Sequence, residues 1–478
     1  MRATNGIPVG VAFAAAIAGT QTLHAQAPGR SIDIPVQELT LPNGLHVIMA
    51  PNSAIPQITF DIWYHVGSKN EVTGRTGFAH MFEHVMFTGS KNVPYGLHDR
   101  LTEGVSGIPN NGSTSNDRTN YYEVVPPNYL ETILWIESDR MGYLLDKRDS
   151  AKFAAQRDIV QNERRQGVDN QPYGRANEIT TVALYPESNP YSWPVVGYLS
   201  DLQRASVEDV KSFFRTYYAP TNATMAIVGD FDPKQATALV RKYFGDLPKG
   251  PAITRPVVKV PVLSAEKRLV YEDRVQLPRL YLRWPTTSVA GADENPLNML
   301  SSILVGSRTA RLSKALVYDL QSAANVGAFQ NGNESSGDFI VIANPRAGHT
   351  LGELETQIDS VIGRLQREGP TPEEMQKARA GLEYGFISGL ESNLGKAELL
   401  NSSHVFHGDA TYYKKQYAAL QAVTAADVKR VASKYLGPNR VVLSVVPLGK
   451  LDQAAKPERS TRVTVGADGG HYIMGSKQ

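Results

Sequence analysis

The segment Gly74–Ser90, GRTGFAHMFEHVMFTGS, sets His80 and His84 four residues apart, with Glu83 directly before the second. On a helix, residues i and i+4 share one face, so both imidazoles come within reach of one ion. Glu83, three residues after His80, sits to the side of that face. There it can act on a water held by the ion without being a ligand. Two neutral imidazoles suit zinc, and a catalytic zinc keeps three protein ligands and one open position for water. Phe78, Met81, Phe82 and Val85 would bury the remaining faces of the helix and exclude bulk water.

A third ligand must come from elsewhere. The chain has no cysteine, so there is no disulfide, thiol nucleophile or thiolate site, and the donor must be His or a carboxylate. The best candidate is Glu163 in FAAQRDIVQNERRQG, a helical stretch with Phe153, Ile159 and Val160 available for packing, though its position alone does not single it out. Glu103, Glu123, Glu131 and Glu137 lie nearer in sequence and compete with it. His404 and His407 are three apart but have no acidic residue in register, so they are not read as a second metal site. His46, His65 and His98 read as strand or loop residues.

The elements that must position this helix repeat. Asp209, Val210, Lys211, Tyr217 and Pro220 match Asp427, Val428, Lys429, Tyr435 and Pro438 at one offset of 218. Each segment reads as a capped amphipathic helix, a Pro-marked turn and an apolar strand. The same offset carries His80–Met86 onto Asn298–Leu304, where the apolar positions persist and Asn, Ser and Ser replace the His and Glu residues. A duplicated domain follows, with ligands in the first copy alone. Helices mixed with alternating strands such as QITFDIWYHVG make the class α+β, two homologous domains of mixed, largely antiparallel sheet packed with helices.

The expected organisation is a signal peptide at 1–27, a zinc-binding domain at 28–250 and a Pro/Gly-rich linker at 251–265. A homologous domain without ligands then runs from 266 to 450, followed by a polar tail at 451–478, partly disordered. Arg2, the apolar run Val9–Ala18 and small residues up to Ala25 or Ala27 give the export signal, too short to span a bilayer. The mature chain is expected to be soluble and exported, periplasmic or secreted, with no membrane span. Charged residues make up 20% of the chain with a net charge of +2, which provides no field to recruit nucleic acid.

His-x-x-Glu-His followed by a glutamate roughly 75–80 residues later resembles the inverzincin peptidases: insulinase, pitrilysin and the mitochondrial processing peptidase. NNGSTSNDRTNYYEVVP, IVQNERRQ and YFGDLPKG extend that resemblance over nearly the whole mature chain. It implies one zinc per chain, ligated by His80, His84 and Glu163, with Glu83 as general base. It therefore selects Glu163 from the competing carboxylates. Many members carry a second carboxylate seven residues before the distal ligand; here that place is Gln156.

The resemblance implies a zinc metalloendopeptidase. The strand Asn110–Ser115, with Asn110, Asn111, Gly112, Ser113 and Thr114, is expected to take peptide or unfolded-protein substrate as an added edge strand. Family members that act alone also carry an Arg and, seven residues later, a Tyr in the C-terminal half. In ARLSKALVYDLQSAANVGAF those places fall on Val317 and Ala324, while Arg311 and Tyr318 are out of register. The chain is therefore expected to be the zinc subunit of a hetero-oligomer, paired with a zinc-less homologue that supplies the Arg/Tyr pair. The alternative is a non-catalytic scaffold or peptide-binding subunit with a vestigial metal site.

Overall fold

The computed structural model describes residues 32–146, 150–466 and 471–475; the expected signal peptide, 1–27, lies outside them. The two repeated segments fold alike. Ser206 and Thr424 cap helices Val207–Tyr217 and Ala425–Tyr435, accepting from the backbone N–H of Asp209 and Asp427, whose carboxylates bond back to the cap. This reciprocal cap is the physical reason for the matched Ser/Thr and Asp positions. After each helix a Pro-containing turn leads into a buried apolar strand.

That strand is central in both sheets. The first sheet contains β1 (Gln37–Thr40), β2 (His46–Pro51), β3 (Ile58–Tyr64), β4 (Asn111–Thr114), β5 (Thr119–Val125) and β6 (Ala223–Gly229), ordered β1-β2-β6-β3-β5-β4. The second contains β7 (Lys267–Asp273), β8 (Arg279–Thr286), β9 (Ala323–Gly332), β10 (Gly337–Pro345), β11 (Val441–Pro447), β12 (Thr461–Val465) and β13 (Tyr472–Met474). Its order is β13-β12-β7-β11-β8-β10-β9. The run β2-β6-β3-β5-β4 therefore matches β7-β11-β8-β10-β9. In both, the first pair is parallel and the other three are antiparallel. The expected α+β duplication is the observed architecture.

One face of the first sheet packs on helices Phe78–Val85, Leu130–Tyr143, Val207–Tyr217 and Pro233–Phe244 around a core that includes Phe60, Ile62, Phe82, Leu134 and Ile227. The second sheet repeats this with Glu294–Val305, Leu351–Glu368 and Ala425–Tyr435. The opposite faces are covered by exchange. Helix Ala176–Leu184 of the first half lays Ala176, Ile179 and Ala183 on Leu269, Val441 and Leu443 of the second sheet. The corresponding helix of the second half, Asn393–His407, packs on β3 and β6 of the first sheet. There Asn401 donates to the Asp61 carbonyl and carboxylate, both at 2.9 Å.

The expected linker carries no helix or strand. Arg255 ties it to the first half by donating to the His65 carbonyl at 3.0 Å and to Asn222 Oδ1 at 2.9 Å. Within the expected polar tail, the described residues include two strands. Thr461–Val463 pairs in parallel with β7, Val463–Val465 pairs antiparallel with Tyr472–Met474, and Val463 is buried. The alternation in Thr461–Val465 is too short beside a Gly-rich stretch to stand out as a strand in the sequence. No helix among the described residues is long and apolar enough to cross a membrane.

Candidate metal centre

The histidine helix, Phe78–Val85, begins at Gly77, whose φ of 91° is left-handed. The Glu71 carboxylate accepts from the N–H groups of Gly77 at 2.9 Å and Ala79 at 2.8 Å. An acceptor at a helix N-terminus is where the helix dipole favours it. Burial nonetheless pushes the Glu71 carboxyl up to about 8, against these donors. Phe78, Met81, Phe82 and Val85 are buried as expected, and the Phe82 ring lies 5.8, 5.7 and 5.1 Å from those of Phe213, Phe214 and Tyr218. Packing this face leaves His80, Glu83 and His84 on the opposite, half-buried side.

The structure brings Glu163 to the histidines. Glu163 Oε2 stands 3.1 Å from His84 Nε2 and 3.7 Å from His80 Nε2, and the two Nε2 atoms are 3.4 Å apart. Donors of a tetrahedral zinc with bonds near 2.1 Å are separated by about 3.4 Å, so this triangle fits the ion. Burial, then the neighbouring His84, lowers the His80 pKa to about 4, which keeps its imidazole neutral as a ligand must be. Its Nδ1 is buried with no hydrogen-bond partner among the described residues.

Glu163 is at the end of helix Ser150–Arg164. Phe153 and Val160 are buried there as expected, but Ile159 is exposed. The next residue, Arg164, is fully buried and pairs its guanidinium with both oxygens of Glu178, at 2.9 and 3.0 Å. Gln156 lies two turns earlier on the same helix.

Glu83 accepts from the Thr114 hydroxyl at 2.6 Å. Burial raises its pKa, with the Thr114 bond opposing. Thr114 and Gly112 lie on the same face of β4, an edge strand as expected, and a Cβ on Gly112 would stand 3.1 Å from Glu83 Cγ. The other expected binding residues are placed differently. Ser113 faces away and bonds Asn120 Oδ1 at 2.7 Å, while its carbonyl accepts from Arg118. Asn110 precedes the strand, its amide spent on Thr102 Oγ1 at 2.8 Å and Asp99 Oδ1 at 3.2 Å. Asn111 is exposed and accepts from the Gly112 N–H.

The competing carboxylates are engaged elsewhere. Glu131 holds Lys242 and Tyr243, and Glu103 accepts from the Asn110 N–H. Glu123 and Glu137 are buried with His98 and Arg140. His98, read as a strand or loop residue, lies on the short helix Leu97–Leu101. In this cluster Glu123 and Glu137 face Arg140 and His98, and against burial the carboxylates around His98 push its pKa up to about 10. His46 and His404 stack with centroids 3.7 Å apart and planes 3° off parallel, while Glu38 takes His46 Nε2 at 2.8 Å. Parallel rings direct their lone pairs side by side rather than toward one point. Arg311 is held by Glu374 and the Gly369 carbonyl, and Tyr318 is exposed. No sequence signal pointed to Arg164 or Glu178, and Thr114, expected to bind substrate, bonds the Glu83 carboxylate instead.

Residues 46–184 match the family model "Insulinase (Peptidase family M16)", and residues 204–382 match "Peptidase M16 inactive domain". A curated relative, "Zinc protease PqqE" of Helicobacter pylori, is 30% identical over 423 residues, covering 87% of this chain and 93% of that protein. The crystal structure of a protease from Helicobacter pylori superposes with a TM-score of 0.80 at 27% identity, over 86% of this chain and 99% of that one. The periplasmic protease PqqL from Escherichia coli shares the fold at a TM-score of 0.71 and 19% identity, over 87% of this chain but 48% of that longer one. The chain belongs to the insulinase family of peptidases.

Proposed function

We propose that this protein is a zinc endopeptidase in which His80, His84 and Glu163 hold the metal and Glu83 is the general base. The observation that carries this reading is the convergence of three donor atoms within 4.8 Å of one another, with Glu83 beside them. When bound, zinc supplies a Lewis acid for the scissile carbonyl and makes water a better nucleophile near neutral pH. Glu83 accepts the proton of the attacking water and returns it to the leaving amine. Its burial raises its basicity, and Thr114 holds its orientation. The free edge of β4 takes the peptide by main-chain hydrogen bonds, and Gly112 lets that backbone approach Glu83.

The catalytic unit in this reading is a pair, this chain with a zinc-less homologue. Two observations support it: Arg311 is tied to Glu374, and the PqqL chain is about twice the length this chain covers. The protein is further proposed to be exported, on its N-terminal sequence.

The test is Glu83→Gln, assayed on a peptide mixture with the partner present. Zinc should stay near one per chain while hydrolysis falls by about 10²–10⁴-fold. Undiminished hydrolysis would remove Glu83 from the mechanism, and absence of stoichiometric zinc in the parent would remove the whole reading.

A further inference from the structure

The donor atoms come from two helices, and the short segment Gly197–Tyr198 touches the supports of both. Gly197 abuts Gly77, the start of the histidine helix, so closely that a Cβ on Gly197 would stand 2.5 Å from Gly77 Cα. The Gly197 carbonyl also accepts from Arg164 Nη1 at 3.0 Å. The Tyr198 N–H donates to Thr76 Oγ1 at 2.9 Å, and the Thr76 hydroxyl passes to Asp201 at 2.8 Å. The histidine helix and the residue after Glu163 are thus registered against one piece of backbone.

On this backbone sits the strand β13 with the residue before it. The Tyr472 hydroxyl donates to Glu178 Oε2, the oxygen that also takes Arg164 Nη2. The His471 ring stacks on Tyr198 with centroids 4.3 Å apart and planes 30° from parallel. Pairing with β12 anchors the segment to the second sheet.

Glu163 needs such support. Its side chain is 45% exposed, so burial does little to hold it. Directly after Arg164 the chain widens into a π-helical turn, Arg165–Asp169, which carries less regular hydrogen bonding than a continuing α-helix.

We infer that His471 and Tyr472 form a positioning clasp, contributed by the second half, that fixes the distance of Glu163 from His80 and His84 and so sets metal affinity. Tyr472 acts through Glu178 and Arg164; His471 acts through Tyr198. The inference rests on the zinc reading of His80, His84 and Glu163. Residues that orient metal ligands from behind typically change affinity about 10–100-fold when removed. The clasp acts one contact further out, so the lower end applies.

The experiment uses the full chain carrying Tyr472→Phe and, separately, His471→Ala. Zinc dissociation constants are measured by chelator competition, and the Co(II)-loaded proteins are compared by their d–d absorption. The expected result is about tenfold weaker zinc for Tyr472→Phe, a shifted Co(II) spectrum and an unchanged thermal midpoint of the metal-free protein. Parental zinc affinity and Co(II) spectrum in both variants would overturn the clasp, as would a lowered metal-free midpoint with affinity unchanged. A parent chain that binds neither zinc nor cobalt would overturn the zinc reading along with it.

Discussion

The Thr114 hydroxyl donates to Glu83 Oε2 over 2.6 Å, joining the edge strand to the histidine helix at the one carboxylate of that helix. Burial is the larger influence on Glu83 and raises its pKa; the Thr114 bond favours the ionised form and lowers it. Replacing Thr114 by Val therefore raises the Glu83 pKa further. The acid limb of kcat/KM against pH should move to higher pH, with zinc content unchanged, and Thr114→Ser should restore the parental profile. An unmoved acid limb would separate Thr114 from the base.

Gly112→Ala places a methyl 3.0 Å from the Asn120 carbonyl and 3.1 Å from Glu83 Cγ. The strand and the helix must then part by a few tenths of an ångström. Hydrolysis should fall by about tenfold or more, since small misplacements at a reacting centre are costly. Zinc affinity should stay parental, because Gly112 touches no donor atom. Equal activity in a peptide assay would show that this approach is not limiting.

Glu163→Gln removes a charged donor from an exposed position. Zinc should be lost on dialysis against a mild chelator, while the metal-free protein unfolds within about 0.5 kcal/mol of the parent, as surface changes usually do. Metal analysis and thermal melting check the two halves of this expectation. Retained zinc would point to another third donor.

The halves should loosen in acid. Glu334 of the second half accepts from His65 and Lys69 of the first. Burial alone would raise its pKa, but these partners hold it down at about 2, against 4.5 for the free group. Its contribution is present above pH 4.5 and is lost as pH falls toward 2. Burial lowers the His65 pKa below 6.5, so His65 also costs stability as pH falls below that value. The thermal midpoint should decline from pH 6.5 downward, and Glu334→Gln should flatten the part below 4.5. A midpoint independent of pH over this span would remove the contact from the stability of the fold.

Export predicts a mature protein beginning after Ala25 or Ala27. N-terminal sequencing of protein recovered from the periplasm or medium checks it. An intact Met1 there would count against the signal.

The histidine pair was legible because spacing within one helix encodes a face, and eight residues sufficed. The repeat was legible because capping and turn residues recur at one offset. Glu163 was not separable from Glu123 or Glu137 on spacing alone, since the choice depends on how Arg164 and Val160 pack in three dimensions. Ser113 misled because a strand shows alternate residues to opposite sides, and only its pairing with β5 reveals which side faces Glu83. The exchanged helices left no local signal at all: an apolar stripe does not name the sheet it will cover.

That exchange bears on any attempt to divide the protein. Because Ala176–Leu184 shields the second sheet and Asn393–His407 shields the first, a cut at the linker would leave each fragment with a naked greasy surface. Separately expressed fragments should aggregate, yet become soluble when produced together.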